Sequence, residues 1–529
     1  MSRLLRSGAV ISAMTMVSRV LGLARDAIIF HYFTAGGPLD AFFVAFRVPN
    51  LLRRMVAEGA FSLAFVPVLA EYKESRSRED LEELLNHVAG TLTLILFAIT
   101  LVGMVAAPFL ATLFAPGFLL GTDSVGAETS KHALTSHLLL ITFPYIFFIS
   151  LSAFASSILN TFQKFAVPAF TPVLLNVVLI SAAIFGAPYF KQPVEALAWG
   201  VIGGGIAQLA FQIPSLIKLG LLPKPSFKRG HAGVKKIMKL MAPALLGSSV
   251  AQINILINTA IASMLAAGSI SWLYASDRFV ELPLAIIGVA IGVVILPKLS
   301  ADHVKVKGEA FSETLDWAIR IGLLVALPAM VGLMLLAKPI LATVLQNGAN
   351  GWNLVEMASM SLVTYSFGLP AFILVKVLAP GFYSRQDTKT PVRIGIIAII
   401  CNIILSALIV YPWVKMEIMG PHAGLALATA LAGYINAGML YYQLKRQKIY
   451  KVKHSNGKRW RKDMFRILVA LSAMAMVIWL INPIDLWWQK THLIPKVLYL
   501  LALVASAITT YFASLFLLGV RKHHLSPDY

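Results

Sequence analysis

The chain has 529 residues, of which 58% are hydrophobic and 13% charged, and its mean hydropathy is +0.78. That is too apolar for a soluble globular protein and indicates a polytopic helical membrane protein. The formal charge is +21, from 45 Lys and Arg against 24 Asp and Glu; the excess falls in short connections between apolar spans, the place of cytoplasmic positive charge, so nucleic acid is excluded as a partner.

At about 20 residues per crossing, apolar spans are expected near 8–33, 39–71, 84–114, 133–159, 165–187, 194–217, 237–266, 271–299, 313–337, 354–379, 390–412, 420–444, 463–481 and 496–519. The fold class is therefore all-α, with about 14 transmembrane helices. The first span begins like a signal peptide, with Arg3 and Arg6, but Arg19, Arg25 and Asp26 follow and no small-residue cleavage site is evident, so a retained helix is expected. Ser18, Gly22 and Arg25 lie on one stripe of it. In the second span Asp40, Arg47, Asn50, Arg54 and Glu58 recur at helical spacing and give one polar face, with Arg53 beside it. Gly203, Gly204 and Gly205 sit inside an apolar span and are expected as helix contacts rather than a phosphate loop. In the eighth span Ser271, Tyr274, Arg278 and Glu281 form a further polar stripe, expected to face that of the first bundle. The single cysteine, Cys401, lies in an apolar run and excludes an intrachain disulfide.

Alternate connections differ sharply in charge: one set carries thirty Lys and Arg, the opposite set six. This bias places both termini in the cytoplasm and requires an even number of spans. The two halves also echo each other. Phe46-Arg47 and Val66-Pro67-Val68-Leu69 find counterparts at Asp277-Arg278 and Leu296-Pro297-Lys298-Leu299, and Pro168 and Asn176 at Pro391 and Asn402. Six helices repeated in parallel are expected, with bundles at 1–222 and 223–450. Residues 451–529 then add two helices beyond the repeat, after a basic connection at 445–462.

A charge at the bilayer centre costs roughly 2.5–3.5 kcal/mol on insertion scales, so clustered arginines imply a hydrated cavity or an anionic guest. Arginine's planar fork donates paired hydrogen bonds to phosphate and stays protonated, which makes a pyrophosphate the natural guest. Internal neutralisation is the competing role, with Arg25 on Asp26, Arg54 on Glu58 and Arg278 on Glu281; both roles coexist if the carboxylates orient the guanidinium groups. There is no P-loop, His-Glu-x-x-His or Gly-x-Ser-x-Gly motif. No catalytic residue, metal ligand set or cofactor is therefore expected, and His31 and Lys376 read as interface or cavity-lining groups. A drug antiporter would want an acidic or aromatic cavity, and a glycosyltransferase a catalytic acid. An anion channel remains as a rival, as does a flippase for another polyprenyl-pyrophosphate-linked oligosaccharide.

The runs Ser18-Arg19-Val20-Leu21-Gly22-Leu23-Ala24-Arg25-Asp26, Asp40-Ala41-Phe42-Phe43-Val44-Ala45-Phe46 and Pro49-Asn50-Leu51-Leu52-Arg53-Arg54 closely resemble the MurJ (MviN) family of bacterial lipid II flippases. So do Glu58-Gly59-Ala60-Phe61, Ser271-Trp272 with Asp277-Arg278, and Ala379-Pro380-Gly381-Phe382-Tyr383-Ser384-Arg385-Gln386-Asp387. The resemblance covers essentially the whole chain. It implies the fold of the multidrug/oligosaccharidyl-lipid/polysaccharide exporter superfamily and transfer of lipid II from the cytoplasmic to the periplasmic leaflet of the inner membrane, for cell-wall synthesis. It further implies substrate-binding roles for Ser18, Arg19, Arg25, Asp26, Asp40, Asn50, Arg53, Ser271, Arg278 and Glu281, to which Arg54 is added from the stripe, and a lipid-tail groove formed by the last two helices. A monomer acting by alternating access is expected, with lipid II and membrane lipids as its partners. The span 237–266 contains no Asp or Glu, unlike the sodium-coupled members, so the membrane potential is the expected driving force.

Overall fold

The protein was described from a computed structural model covering residues 2–120, 130–228, 230–304, 308–346, 350–450 and 454–521; side chains of these are described except at 2–12, 56–58, 242–244, 246–251, 286–294, 296–298, 300–304, 308–309 and 454–459. Among the described residues there are helices and no β-strand. Eleven helices there are long and apolar enough to cross a membrane: Gly37–Ser75, Arg78–Val105, Lys131–Thr161, Ala166–Tyr189, Glu195–Leu219, Ala310–Leu335, Trp352–Tyr383, Lys389–Lys415, Pro421–Arg446, Trp460–Ile481 and Leu493–Leu517. Helices Ser2–Tyr32, Ala232–Ser263 and Ser269–Val304 cover the other three expected spans.

The chain divides into two compact units, Met1–Ser271 and Trp272–Tyr529. In the first, Glu195–Leu219 packs against Ala166–Ser181 and Tyr145–Thr161, and Ser2–Tyr32 against Ala166–Ser181. In the second, Pro421–Arg446 packs against Lys389–Lys415 and against both Trp352–Phe367 and Leu369–Tyr383. Each unit also has a short helix directly after a long one, Ala107–Phe114 after Arg78–Val105 and Ala337–Val344 after Gly308–Leu335. The helix Ala232–Ser263, expected to open the second repeat, packs on Arg53–Phe61 and Ser62–Ser75 and so belongs with the first unit.

Local chemistry accounts for the helix boundaries and breaks. Ser77 starts the helix Arg78–Val105 through a reciprocal cap: its hydroxyl accepts from the Asp80 N–H at 3.1 Å, and the Asp80 carboxylate accepts from the Ser77 N–H at 3.4 Å. Pro49 sits inside Gly37–Leu52 and has no N–H to give the Ala45 carbonyl; Thr142 Oγ1 donates there instead, at 3.1 Å. A π-helical stretch, Arg53–Phe61, follows. Such wide turns recur at functional sites, and this one carries Arg53 and Arg54. Pro144 separates Lys131–Thr142 from Tyr145–Thr161. Gly204 and Gly205 are helix contacts, as expected: a Cβ there would come within 2.5 Å of Leu175 Cδ1 or 2.8 Å of the Tyr145 ring.

An aromatic core of the first unit, Phe61, Phe65 and Phe154, has ring centroids 5.0–6.0 Å apart, surrounded by Leu84, Val88 and Ile158. In the second unit the final pair, His454–Ile481 and Leu493–Leu517, pack on each other. They are tied to Gly308–Leu335 by a polar knot around Asp316. Its carboxylate accepts from Tyr450 Oη at 2.6 Å and Trp460 Nε1 at 2.8 Å, and pairs with Arg320 at 2.8 Å. Asp463 joins Arg320 and Arg466, each at 3.4 Å. Elsewhere on the pair, Lys496 donates to Gln346 Oε1 at 2.7 Å and Lys338 pairs with Asp485.

Candidate substrate-binding site

The first helix of the chain positions Arg25 and Asp26 deep in the first unit, 6% and 3% exposed. Arg25 Nε and Nη2 both donate to Asp26 Oδ1, at 2.9 and 2.5 Å, and Nη1 donates to Asn176 Oδ1 at 3.2 Å. The Asn176 amide in turn donates to the Ser18 carbonyl at 3.1 Å. Thus Ser18 joins the arginine through its backbone and a shared asparagine, one stripe of the first helix being read by Ala166–Ser181. A buried charge without its partner is costly, and here the adjacent carboxylate provides the neutralisation the sequence allowed for.

Asp40, 2% exposed, serves a different end of the unit. Its Oδ1 accepts from the Ser271 N–H at 2.8 Å and hydroxyl at 2.6 Å, and its Oδ2 from the Gly268 N–H at 2.7 Å. Ser269–Val304 begins there, so the carboxylate satisfies otherwise orphaned N–H groups at a helix start and meets its positive end. Asp40 and Ser271, far apart in sequence, are brought together by this contact.

Further along the same polar face, neutral groups are among the partners. Arg47 donates from Nη1 to Thr259 Oγ1 at 2.6 Å, and Arg53 from Nε to Asn50 Oδ1 at 2.9 Å. A hydroxyl partner orients the Arg47 guanidinium while leaving its charge in place, the state suited to an incoming anion. Arg19 and Arg54 are part-exposed, with no hydrogen-bond partner among the described residues. The expected pairing of Arg54 with Glu58 lies outside the described side chains. The even spacing of the face assumes an unbroken α-helix; the π-helical stretch from Arg53 widens the turn and changes the register beyond Leu52.

In the second unit Arg278 Nη1 lies 3.4 Å from Glu281 Oε2, with side chains 31% and 38% exposed. A pair so open contributes little to stability and its arginine stays accessible. Lys376 Nζ donates to the Leu284 carbonyl at 3.3 Å. An apolar cavity of about 510 Å³ in this unit is lined by Ile319, Leu374, Leu378, Tyr434, Tyr441 and Trp460, with Tyr450.

Of the sequence candidates, then, the structure pairs Arg25 with Asp26, Asp40 with Ser271, Asn50 with Arg53 and Arg278 with Glu281. Sequence reasoning missed the clamps: Asn176, noticed only as a repeat echo, and Thr259, one of many threonines in apolar helices. A polar side chain facing the arginine stripe from a neighbouring helix carries no mark of that in its own sequence.

The family model for "Lipid II flippase MurJ" matches residues 29–499. The Vibrio cholerae protein named "Probable lipid II flippase MurJ" is 45% identical over 99% of this chain and 98% of its own length. The Burkholderia cenocepacia "Lipid II flippase MurJ" is 37% identical, over 98% of both. A solved structure, "Lipid II flippase MurJ, inward closed conformation", superimposes with a TM-score of 0.76 at 29% identity, over 96% of this chain and 99% of that one. An inward-facing multidrug resistance MATE family transporter of the MOP superfamily shares the fold, with a TM-score of 0.67 at 15% identity over 83% of this chain and 98% of that one. With a family match over residues 29–499 and relatives 37–45% identical along nearly the whole chain, the chain belongs to the MurJ family of lipid II flippases.

Proposed function

We propose that this protein is a transporter that moves lipid II, a polyprenyl-pyrophosphate glycolipid, from the cytoplasmic to the periplasmic leaflet of a bacterial inner membrane. The observation that carries the reading is a set of intramembrane arginines on the first two helices, with Arg47 held by Thr259 and Arg53 contacting Asn50, in a chain whose full-length relatives are named for this activity. The charge asymmetry of the connections supports cytoplasmic termini.

In this reading Arg53, Arg54 and Arg47 engage the pyrophosphate, with Arg19 and Arg278 contributing further positive charge. Arg25 and Asp26 with Ser18, and Asp40 with Ser271, hold the helices that carry them; Glu281 orients Arg278 and Asn50 orients Arg53. The polyprenyl tail lies along the last two helices, and the apolar cavity lined by Tyr441 and Trp460 offers it a place. The protein acts as a monomer by alternating access, and the substrate shifts that equilibrium only by binding one state better than the other. Outward transfer of an anion from a negative interior is favoured by about 2.3 kcal/mol per charge per 100 mV.

The test is transfer of fluorescent lipid II across vesicles containing the purified protein. Wild type accelerates transfer saturably, and Arg53→Ala slows it about 10- to 100-fold, the size of one or two charge-assisted hydrogen bonds. Transfer by Arg53→Ala at the wild-type rate, or none by wild type, would refute the proposal.

A further inference from the structure

Away from the arginines, the connection between Glu195–Leu219 and Ala232–Ser263 is strapped onto the start of Arg78–Val105. The Ser226 N–H donates to the Asn86 carbonyl at 2.9 Å, and the Lys224 N–H to Asn86 Oδ1 at 2.6 Å. A Cβ at Gly90 would sit 2.0 Å from the Ser226 carbonyl oxygen, so only glycine admits the strap. The strap delivers His231 onto His87, with ring centroids 4.9 Å apart and planes 24° from parallel.

Glu83 and His87 are four residues apart on the helix and therefore share a face. One ligand atom from each of Glu83, His87 and His231 lies within 4.8 Å of the other two. His87 is already oriented as a metal-binding histidine is: its Nδ1 is 2.8 Å from the Glu83 carbonyl, to which the Nδ1–H donates, and the lone pair is left on Nε2. Asp80 and Glu83 are the acidic groups whose charge His231 feels, and they add to the attraction for a cation. Two imidazoles and one carboxylate suit zinc over magnesium or calcium, which prefer all-oxygen sites.

We propose that Glu83, His87 and His231 bind a Zn²⁺ ion that staples the connection between the sixth and seventh helices to the third. The fourth position is left to water. Tetrahedral bonds of about 2.0–2.1 Å draw the three ligands closer than they stand here, and the exposed Glu83 side chain has the freedom to swing in. His231 Nδ1 accepts from the Gly233 N–H at 3.1 Å; coordination through Nε2 moves the ring proton to Nδ1, so the metal takes over from that cap in fixing the start of Ala232–Ser263.

The experiment uses the full-length protein in detergent, without a polyhistidine tag, stripped with a chelator and titrated with ZnCl₂ by calorimetry. One Zn²⁺ binds per chain, and affinity falls at least tenfold in each of Glu83→Gln, His87→Ala and His231→Asn. Asparagine keeps the capping acceptor, so His231→Asn melts with the metal-free wild type, which separates a lost ligand from a misfolded chain. Zinc also slows trypsin cleavage after Lys228 in the wild type and not in the variants. Zinc affinity equal in the wild type and all three variants, or cleavage indifferent to zinc in the wild type, would overturn the site.

Discussion

Arg25 and Asp40 illustrate how differently two buried charges in one unit are used. Arg25 is neutralised by its chain neighbour and aimed by Asn176. Replacing it with alanine removes the adjacent counter-ion of the buried Asp26 carboxylate, a loss of about 3–5 kcal/mol, whereas Arg25→Ala with Asp26→Ala together recovers much of that stability. Thermal unfolding in detergent reads both; equal melting of the single and double variants would mean that the pair is not what holds this region. Asp40 accepts three hydrogen bonds at the start of Ser269–Val304. Asp40→Ala costs about 1–3 kcal/mol, and Asp40→Asn less because one acceptor oxygen remains. An Asp40→Ala variant as stable as wild type would remove the capping role.

At the level of the helices, apolar spans of membrane length and their charged connections were legible in the sequence, since length and hydropathy alone decide whether a helix crosses a bilayer. The stripes carrying Arg25 and Arg53 were legible too, because helical spacing projects them onto faces. Their partners were not: Asn176, Thr259 and Gly268 reach the stripes only through helix packing. The π-helical stretch Arg53–Phe61 and the strap over Gly90 depend equally on neighbours that no local pattern names. Two substitutions probe these packings. Gly90→Val forces the strap away from Asn86, and trypsin then cleaves after Lys228 faster than in wild type; unchanged cleavage would deny the close approach. Asp316→Ala unties Tyr450, Trp460 and Arg320 together, costing about 3 kcal/mol and loosening the final helix pair, which hydrogen exchange over 460–481 would register. Wild-type protection there would contradict the docking role of the knot.

For the whole molecule, the positive charge that an apolar chain retains inside the membrane is the property on which transport rests. Arg47, oriented by the Thr259 hydroxyl, keeps its charge available to a guest, while Arg25 has an internal counter-ion. The most direct measurement is native mass spectrometry of the purified protein titrated with lipid II and, separately, with its single-phosphate counterpart of the same tail length. Wild type retains the pyrophosphate lipid at least tenfold better than the monophosphate, and Arg53→Ala erases that preference while keeping its fold. Equal retention of the two lipids by wild type, or an undiminished preference in Arg53→Ala, would contradict recognition of the pyrophosphate by these guanidinium groups.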